Sequence, residues 1–249
     1  MTTLIEAASR ALSCLDLTNL NEDCSEEDVR DLCARAETRH GKVAAICIWP
    51  QFIPFAKECL TGTGVRIATV VDFPGGDQDS ADVLAATAKA VADGADEIDM
   101  VIPYKRLMEG HPQVVPASVS RVKEAAGPAL VKAILETGVL GDAGLIRDAA
   151  QLAIEGGADF IKTSTGKVPV NATPEAARVI LEQIAKADRI VGFKPAGGVK
   201  TTEDARLYLD LCDEIMGPDW CSASVFRIGA SSVLDHLLAT LDGREVSST

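Results

Sequence analysis

Several charged side chains sit inside apolar, strand-like runs, where charge is costly. Lys162 follows Phe160-Ile161, Lys194 follows Gly192-Phe193, Lys132 lies between Val131 and Ala133, Asp99 between Ile98 and Met100, and Asp16 between Leu15 and Leu17. A buried ammonium or carboxylate must be paired or neutralised. The period of a strand puts Lys162 on the face of Phe160 and Ser164, and Lys194 on the face of Gly192. Two lysines brought together have a chemical use. At a pKa of about 10.4, only about 0.04% of a free lysine is amine at pH 7. A neighbouring cation and partial desolvation both disfavour the ammonium form. A downward shift of about three units, roughly 4 kcal/mol, raises the amine fraction about a thousandfold. Such an amine attacks a carbonyl to form a Schiff base. The iminium accepts electrons, so a neighbouring proton can leave or a C–C bond can break. Asp99 and Asp16 would move the protons, directly or through water. A plainer reading stays open: strand-end lysines that reach water, and carboxylates that only pair with Lys132 or Lys194.

A second constellation suits anions. Thr165-Gly166-Lys167, Ala196-Gly197-Gly198-Val199-Lys200 and Gly229-Ala230-Ser231-Ser232 carry glycines beside donors. Glycine lets backbone N–H groups approach an anion, and a helix N-terminus aims donors and a positive dipole at it. Ordinary turn glycines are the alternative. Other chemistries find no support. His40, His111 and His236 lack metal-ligand spacing, and HExxH, GxSxG and Walker sequences are missing. Cys47, on the face of Ala45, reads first as a packed small residue and second as a thiol within reach of reactive aldehydes.

These residues need a scaffold. Eight β-like runs alternate with amphipathic segments: 14–17, 43–48, 66–71, 97–102, 130–135, 159–164, 190–194 and 226–229. Helix starts are marked by Asp79-Ser80, Thr173-Pro174-Glu175 and Thr202-Glu203-Asp204, and a stop by Gly156-Gly157. Ser231 to Leu241 reads as the closing helix. Eight strand–helix units fit an α/β fold, a single (β/α)8 TIM barrel over 1–249, with an extra N-terminal helical segment and a polar tail over 242–249. A doubly wound sheet would show a glycine fingerprint after the first strand, but Thr18-Asn19-Leu20-Asn21 has none. A barrel places its chemistry at the C-terminal strand ends, where the glycine loops lie.

Composition narrows the partners. With 249 residues, 47% of them hydrophobic, the chain has the apolar content of a packed domain. A net charge of −13 opposes nucleic acid or an anionic membrane as partner. No run approaches a membrane span, and Glu6 and Arg10 interrupt any signal-like segment. Seven cysteines without a CxxC pair fit reduced thiols. A cytoplasmic protein acting on small molecules is expected.

Five stretches carry a family likeness: AAICIWPQFIP (44–54), GADEIDMVIPY (94–104), ADFIKTSTGK (158–167), NATPEAAR (171–178) and VGFKPAGGV (191–199). With them the chain resembles the 2-deoxyribose-5-phosphate aldolases, a class I aldolase family, over about residues 12–238. The resemblance implies a barrel and reversible cleavage of 2-deoxy-D-ribose 5-phosphate to acetaldehyde and D-glyceraldehyde 3-phosphate. It implies Lys162 as the Schiff-base lysine, Lys194 as the cation that lowers its pKa, and Asp99 in proton transfer with a water. Asp16 and Lys132 would complete the polar network. Gly166, Lys167, Gly197, Gly198, Gly229, Ser231 and Ser232 match the family's phosphate-site positions. It implies no cofactor, since the iminium is the electrophile, and commonly a homodimer. Two departures stand out. Some members end in a tyrosine that assists proton transfer, whereas this chain ends Val246-Ser247-Ser248-Thr249, with tyrosines only at 104 and 208. Lys200 stands where arginine is common, which keeps the charge but not the bidentate geometry. A sugar-phosphate isomerase using Asp99 without covalent catalysis, and a non-catalytic sugar-phosphate binder, are the competing expectations.

Overall fold

A computed structural model describes residues 2–244. Eight strands, β1 (Leu15–Asn19), β2 (Ala45–Ile48), β3 (Arg66–Val71), β4 (Glu97–Val101), β5 (Leu130–Ile134), β6 (Phe160–Lys162), β7 (Gly192–Lys194) and β8 (Ile228–Ala230), form one sheet. Their order is β8-β1-β2-β3-β4-β5-β6-β7, and every pairing is parallel. Between β7 and β8 the ring closes through isolated bridges, Phe193 to Phe226 and Ala196 to Gly229. There the Phe193 N–H donates to Val225 at 2.8 Å and the Arg227 N–H to Phe193 at 3.0 Å. The expected α/β barrel is therefore the observed one.

The sequence explains the elements. Strands covered on both faces read as near-continuous apolar runs, and residues 45–48 are all buried. Crossover helices start where side chains cap them. Asp79 accepts from the Ala81 N–H to open Ser80–Asp93, and Thr173 caps Pro174–Ile184, with proline in the first turn. Thr201 and Asp204 form a capping box on Thr202–Met216. The expected N-terminal helical segment is Leu4–Ser13, whose buried Ala7, Ala8, Ala11 and Leu12 pack it on Thr202–Met216 and Val233–Leu241. Glu6 serves its capping box, and Arg10 forms a forked pair with Asp213 at 2.6 and 2.7 Å. No described helix is long and apolar enough to cross a membrane.

Several boundaries shift. The run at 190–194 becomes a strand only from Gly192, and Ile190 is 82% exposed, because the turn before β7 holds it outside the barrel. The first strand runs on to Asn19, and the last begins at Ile228 because Phe226 makes only an isolated bridge. The closing helix begins at Val233 rather than Ser231, leaving both serines in the approach to it. A small hairpin, Glu37–Thr38 with Gly41–Lys42, had no expected counterpart. The last helix ends at Leu241, and just beyond it the Asp242 carboxylate accepts from His40 at 2.7 Å and from Arg244 at 2.6 Å, and also pairs with Arg39. Residues 245–249 lie outside the described residues.

Candidate active site

Alternation along β1, β4, β5, β6 and β7 turns Asp16, Asp99, Lys132, Lys162 and Lys194 into the barrel, where they meet. The Lys162 Nζ donates to Asp99 Oδ2 at 2.7 Å, and the Lys194 Nζ donates to the same oxygen at 2.8 Å. Lys194 also donates to Asp16 Oδ2 at 2.5 Å. Lys132 bonds Asp99 Oδ1 at 2.7 Å and lies 2.6 Å from Glu97 and 3.4 Å from Asp16. All five residues are buried, Lys162 the least so at 3% exposure. The plain reading of the lysines, that they reach water, is excluded by this burial.

Two further members close the cluster. Arg227 donates to Asp16 Oδ1 at 2.6 Å and forks onto Glu97 at 2.7 and 2.9 Å, with its guanidinium 5.7 Å from the centre of the Phe160 ring. Glu97 stands two residues before Asp99 and so shares its face; the period of the strand held that signal. Arg227 lies in the expected run 226–229 but is not singled out there, and the observed strand begins only at Ile228. Three carboxylates, Asp16, Glu97 and Asp99, thus face four cations, Lys132, Lys162, Lys194 and Arg227. The buried set is neutral when one cation gives up its proton.

The environments decide which one. Burial pushes the Lys162 ammonium down, Lys194 adds to that, and together they outweigh Asp99. Lys194 is held above the ordinary lysine value, because Asp16 and Asp99 overcome its burial. Lys132 is raised further by Asp99, Glu97 and Asp16 against the same burial cost. Despite burial, Asp99 lies well below the usual carboxylate range under the field of Lys132, Lys162 and Lys194, and Asp16 is lowered by Lys194, Lys132 and Arg227. Of the three interior lysines, Lys162 is the one whose ammonium form is disfavoured.

Above this cluster opens a cavity of about 490 Å³ lined by Lys162, the loops after β6, β7 and β8, and the segment 18–21. Gly166, Gly197 and Gly198, Lys167, Gly229, Ser231 and Ser232 all line it. Gly197 and Gly198 have φ of +80° and +85°, a conformation side chains rarely adopt. Gly229 has a different cause. A Cβ there would lie 2.9 Å from Lys194 Cε and 2.9 Å from Ala196 Cβ, so its bareness makes room for the lysine. The Lys167 Nζ donates to the Leu20 carbonyl at 2.7 Å at the rim. Ser232 precedes the helix Val233–Leu241 without capping it through its side chain.

Cys47 is fully buried on the inner face of β2, and burial pushes its thiol up. Among the described residues no group of three or more His, Cys, Asp or Glu side chains is placed to hold a metal ion. One further group escaped the sequence: Glu136, just beyond β5, is buried and has φ of +59°. Burial raises its carboxyl, and hydrogen bonds from Thr165 oppose the rise.

Comparison with known proteins agrees with this geometry. Residues 10–217 match the DeoC/LacD family aldolase profile. The deoxyribose-phosphate aldolase of Agrobacterium fabrum (strain C58) is 54% identical over 242 residues, covering 96% of this chain and 93% of the relative. The apo form of a Toxoplasma gondii ME49 protein provisionally assigned as a deoxyribose-phosphate aldolase superposes with a TM-score of 0.89 at 25% identity, covering 97% of this chain and 98% of the other. The tetrameric deoxyribose phosphate aldolase of Aeropyrum pernix gives 0.78 at 26% identity, covering 96% and 93%.

Proposed function

The chain belongs to the DeoC/LacD family of aldolases, and from that membership we propose that it cleaves 2-deoxy-D-ribose 5-phosphate reversibly to acetaldehyde and D-glyceraldehyde 3-phosphate through a Schiff base on Lys162. One observation carries the assignment: Lys162 is the interior lysine whose ammonium is disfavoured, and it faces the cavity.

The Lys162 amine attacks C1 of the open-chain sugar, and loss of water gives the iminium. A base takes the C3 hydroxyl proton, and C3 becomes the aldehyde of the departing three-carbon product. The C2–C3 bonding pair flows into the iminium and leaves a two-carbon enamine. Protonation of that enamine and hydrolysis release acetaldehyde and restore the amine. Asp99 is a weak base in the resting site, because the Lys132 and Lys194 ammonium groups and the Lys162 nitrogen all bond to it. Asp99 then serves the proton steps with water while Lys194 and Lys132 keep the net charge near zero. The glycine loops, Lys167 and the serines before Val233 supply the donors for the substrate's phosphate, at the loops where barrels often hold it. Cys47 takes no part in these steps; its burial disfavours the thiolate.

The single-domain organisation over 1–249, a cytoplasmic site of action and a homodimer belong to the same proposal. Seven free cysteines support a reducing compartment. Treatment with acetaldehyde and borohydride, followed by intact mass and peptide mapping, tests the mechanism. One reduced two-carbon adduct on Lys162, lost in Lys162→Ala, is the expected result. An adduct on Lys132 or Lys194 would move the nucleophile. No adduct on folded protein would favour a non-covalent isomerase or a binding protein.

A further inference from the structure

Glu136 has no part in the chemistry above, yet its surroundings are costly to build. It is fully buried, and with Asp72 it is one of two non-glycine residues at positive φ among the described residues. Both of its carboxylate oxygens face Thr165. The Thr165 hydroxyl donates to Oε2 at 2.5 Å and the Thr165 N–H to Oε1 at 3.3 Å. That hydroxyl in turn accepts the Lys167 N–H at 3.0 Å.

The backbone shows how the carboxylate comes to point there. The Leu135 N–H donates to the Lys162 carbonyl and the Thr137 N–H to the Thr163 carbonyl, each at 3.0 Å. A regular parallel ladder would advance two residues on both strands. Here it advances two on one and one on the other, so Glu136 is the surplus residue of a bulge. Bulges re-aim a side chain beside active sites, and a left-handed residue is one way to make them. Thr137 Oγ1 and Ser164 Oγ, 3.3 Å apart, fasten the same two segments. Each contact falls on the turn that follows the Schiff-base lysine and leads to Gly166 and Lys167.

We infer that Glu136 is a positioning residue: its bulged carboxylate sets the Thr165–Lys167 turn that receives the substrate's phosphate, and so determines the preference for phosphorylated over unphosphorylated substrate. This role presupposes the phosphate site proposed above. Glu136 is too occupied with Thr165 to serve the reacting atoms, and its effect passes through the turn.

Glu136→Gln and Thr165→Val, singly and together, test it with 2-deoxyribose 5-phosphate, unphosphorylated 2-deoxyribose and inorganic phosphate as a competing anion. For each single variant the ratio of kcat/KM between the two sugars falls about tenfold, the loss expected for one charge-assisted hydrogen bond. The phosphate inhibition constant rises by a similar factor. The double variant is no worse than Thr165→Val alone, because that substitution already breaks the Glu136 link. Thr165→Ser restores the hydroxyl and the ratio, which carries the test if Glu136→Gln does not fold. Equal losses on both sugars, an unchanged ratio, or additive losses in the double variant would each overturn the role. If the unaltered protein neither favours the phosphorylated sugar nor is inhibited by phosphate, the phosphate site itself falls, and this role with it. A strong preference that survives in the variants overturns the role alone.

Discussion

Replacing Lys194 with methionine removes one charge and keeps the length of the chain, which isolates its field at Lys162. The two nitrogens share Asp99 Oδ2 at 2.7 and 2.8 Å, so they lie within about 5.5 Å of each other. At an effective dielectric of about 20, two unit charges about 5 Å apart repel by roughly 3 kcal/mol. Removing that repulsion raises the pKa of Lys162 by about two units. The sign is fixed: Lys162 is held below its ordinary value by burial and Lys194 together, so losing Lys194 returns it toward the ammonium form. At neutral pH the amine fraction falls about a hundredfold. The acid limb of the pH profile of kcat/KM reads the free-enzyme pKa. In Lys194→Met this limb moves up by about two units, so much of the activity lost at pH 7 returns near pH 9. The rate of borohydride trapping with acetaldehyde follows the same curve. A limb that stays in place, or a loss as large in alkali as at neutrality, would refute the electrostatic role and leave Lys194 as a structural pair for Asp16 and Asp99.

Two other outcomes follow from the same buried charges. Arg227→Met leaves Asp16 and Glu97 without their guanidinium and lowers unfolding free energy by about 3–5 kcal/mol, measured by urea denaturation; a change under about 1 kcal/mol would mean that the lysines suffice. Asp16, Glu97 and Asp99 are held below their ordinary values, so their stabilisation is complete above about pH 4, where the unfolded carboxyls ionise, and is lost as pH falls below it. Asp72 has the opposite sign: burial lifts it to about 6, its protonated form is favoured in the fold, and stability grows as pH falls through that value. Urea unfolding as a function of pH therefore shows a rise below about pH 6 and a steep fall below about pH 4; Asp72→Asn reduces the rise, the remainder coming from Glu136, which burial also raises. A decline that starts already near pH 6 would contradict the assignment.

Much of the molecule was legible without coordinates. The alternation of short apolar runs with capped helices declares a barrel, because both signals are local: strand period, capping residues and turn glycines act over a few residues. The same locality exposed the five charged residues, since lysine and aspartate inside apolar strands are anomalies that a single run reveals. Resemblance then separated Lys162 from Lys194, two strand-borne lysines that spacing treats alike. Tertiary structure decided what no segment carries by itself. Which cation loses its proton is a property of the seven-membered cluster, because charge balance is summed over β1, β4, β5, β6, β7 and the residue before β8. Arg227 joined that sum from a position without ladder periodicity. Gly229 looked like a donor of loop freedom and proved to be space for Lys194, a contact between strands. Glu136 owes its direction to a bulge, and a bulge is a mismatch between two strands, visible only when both are in place.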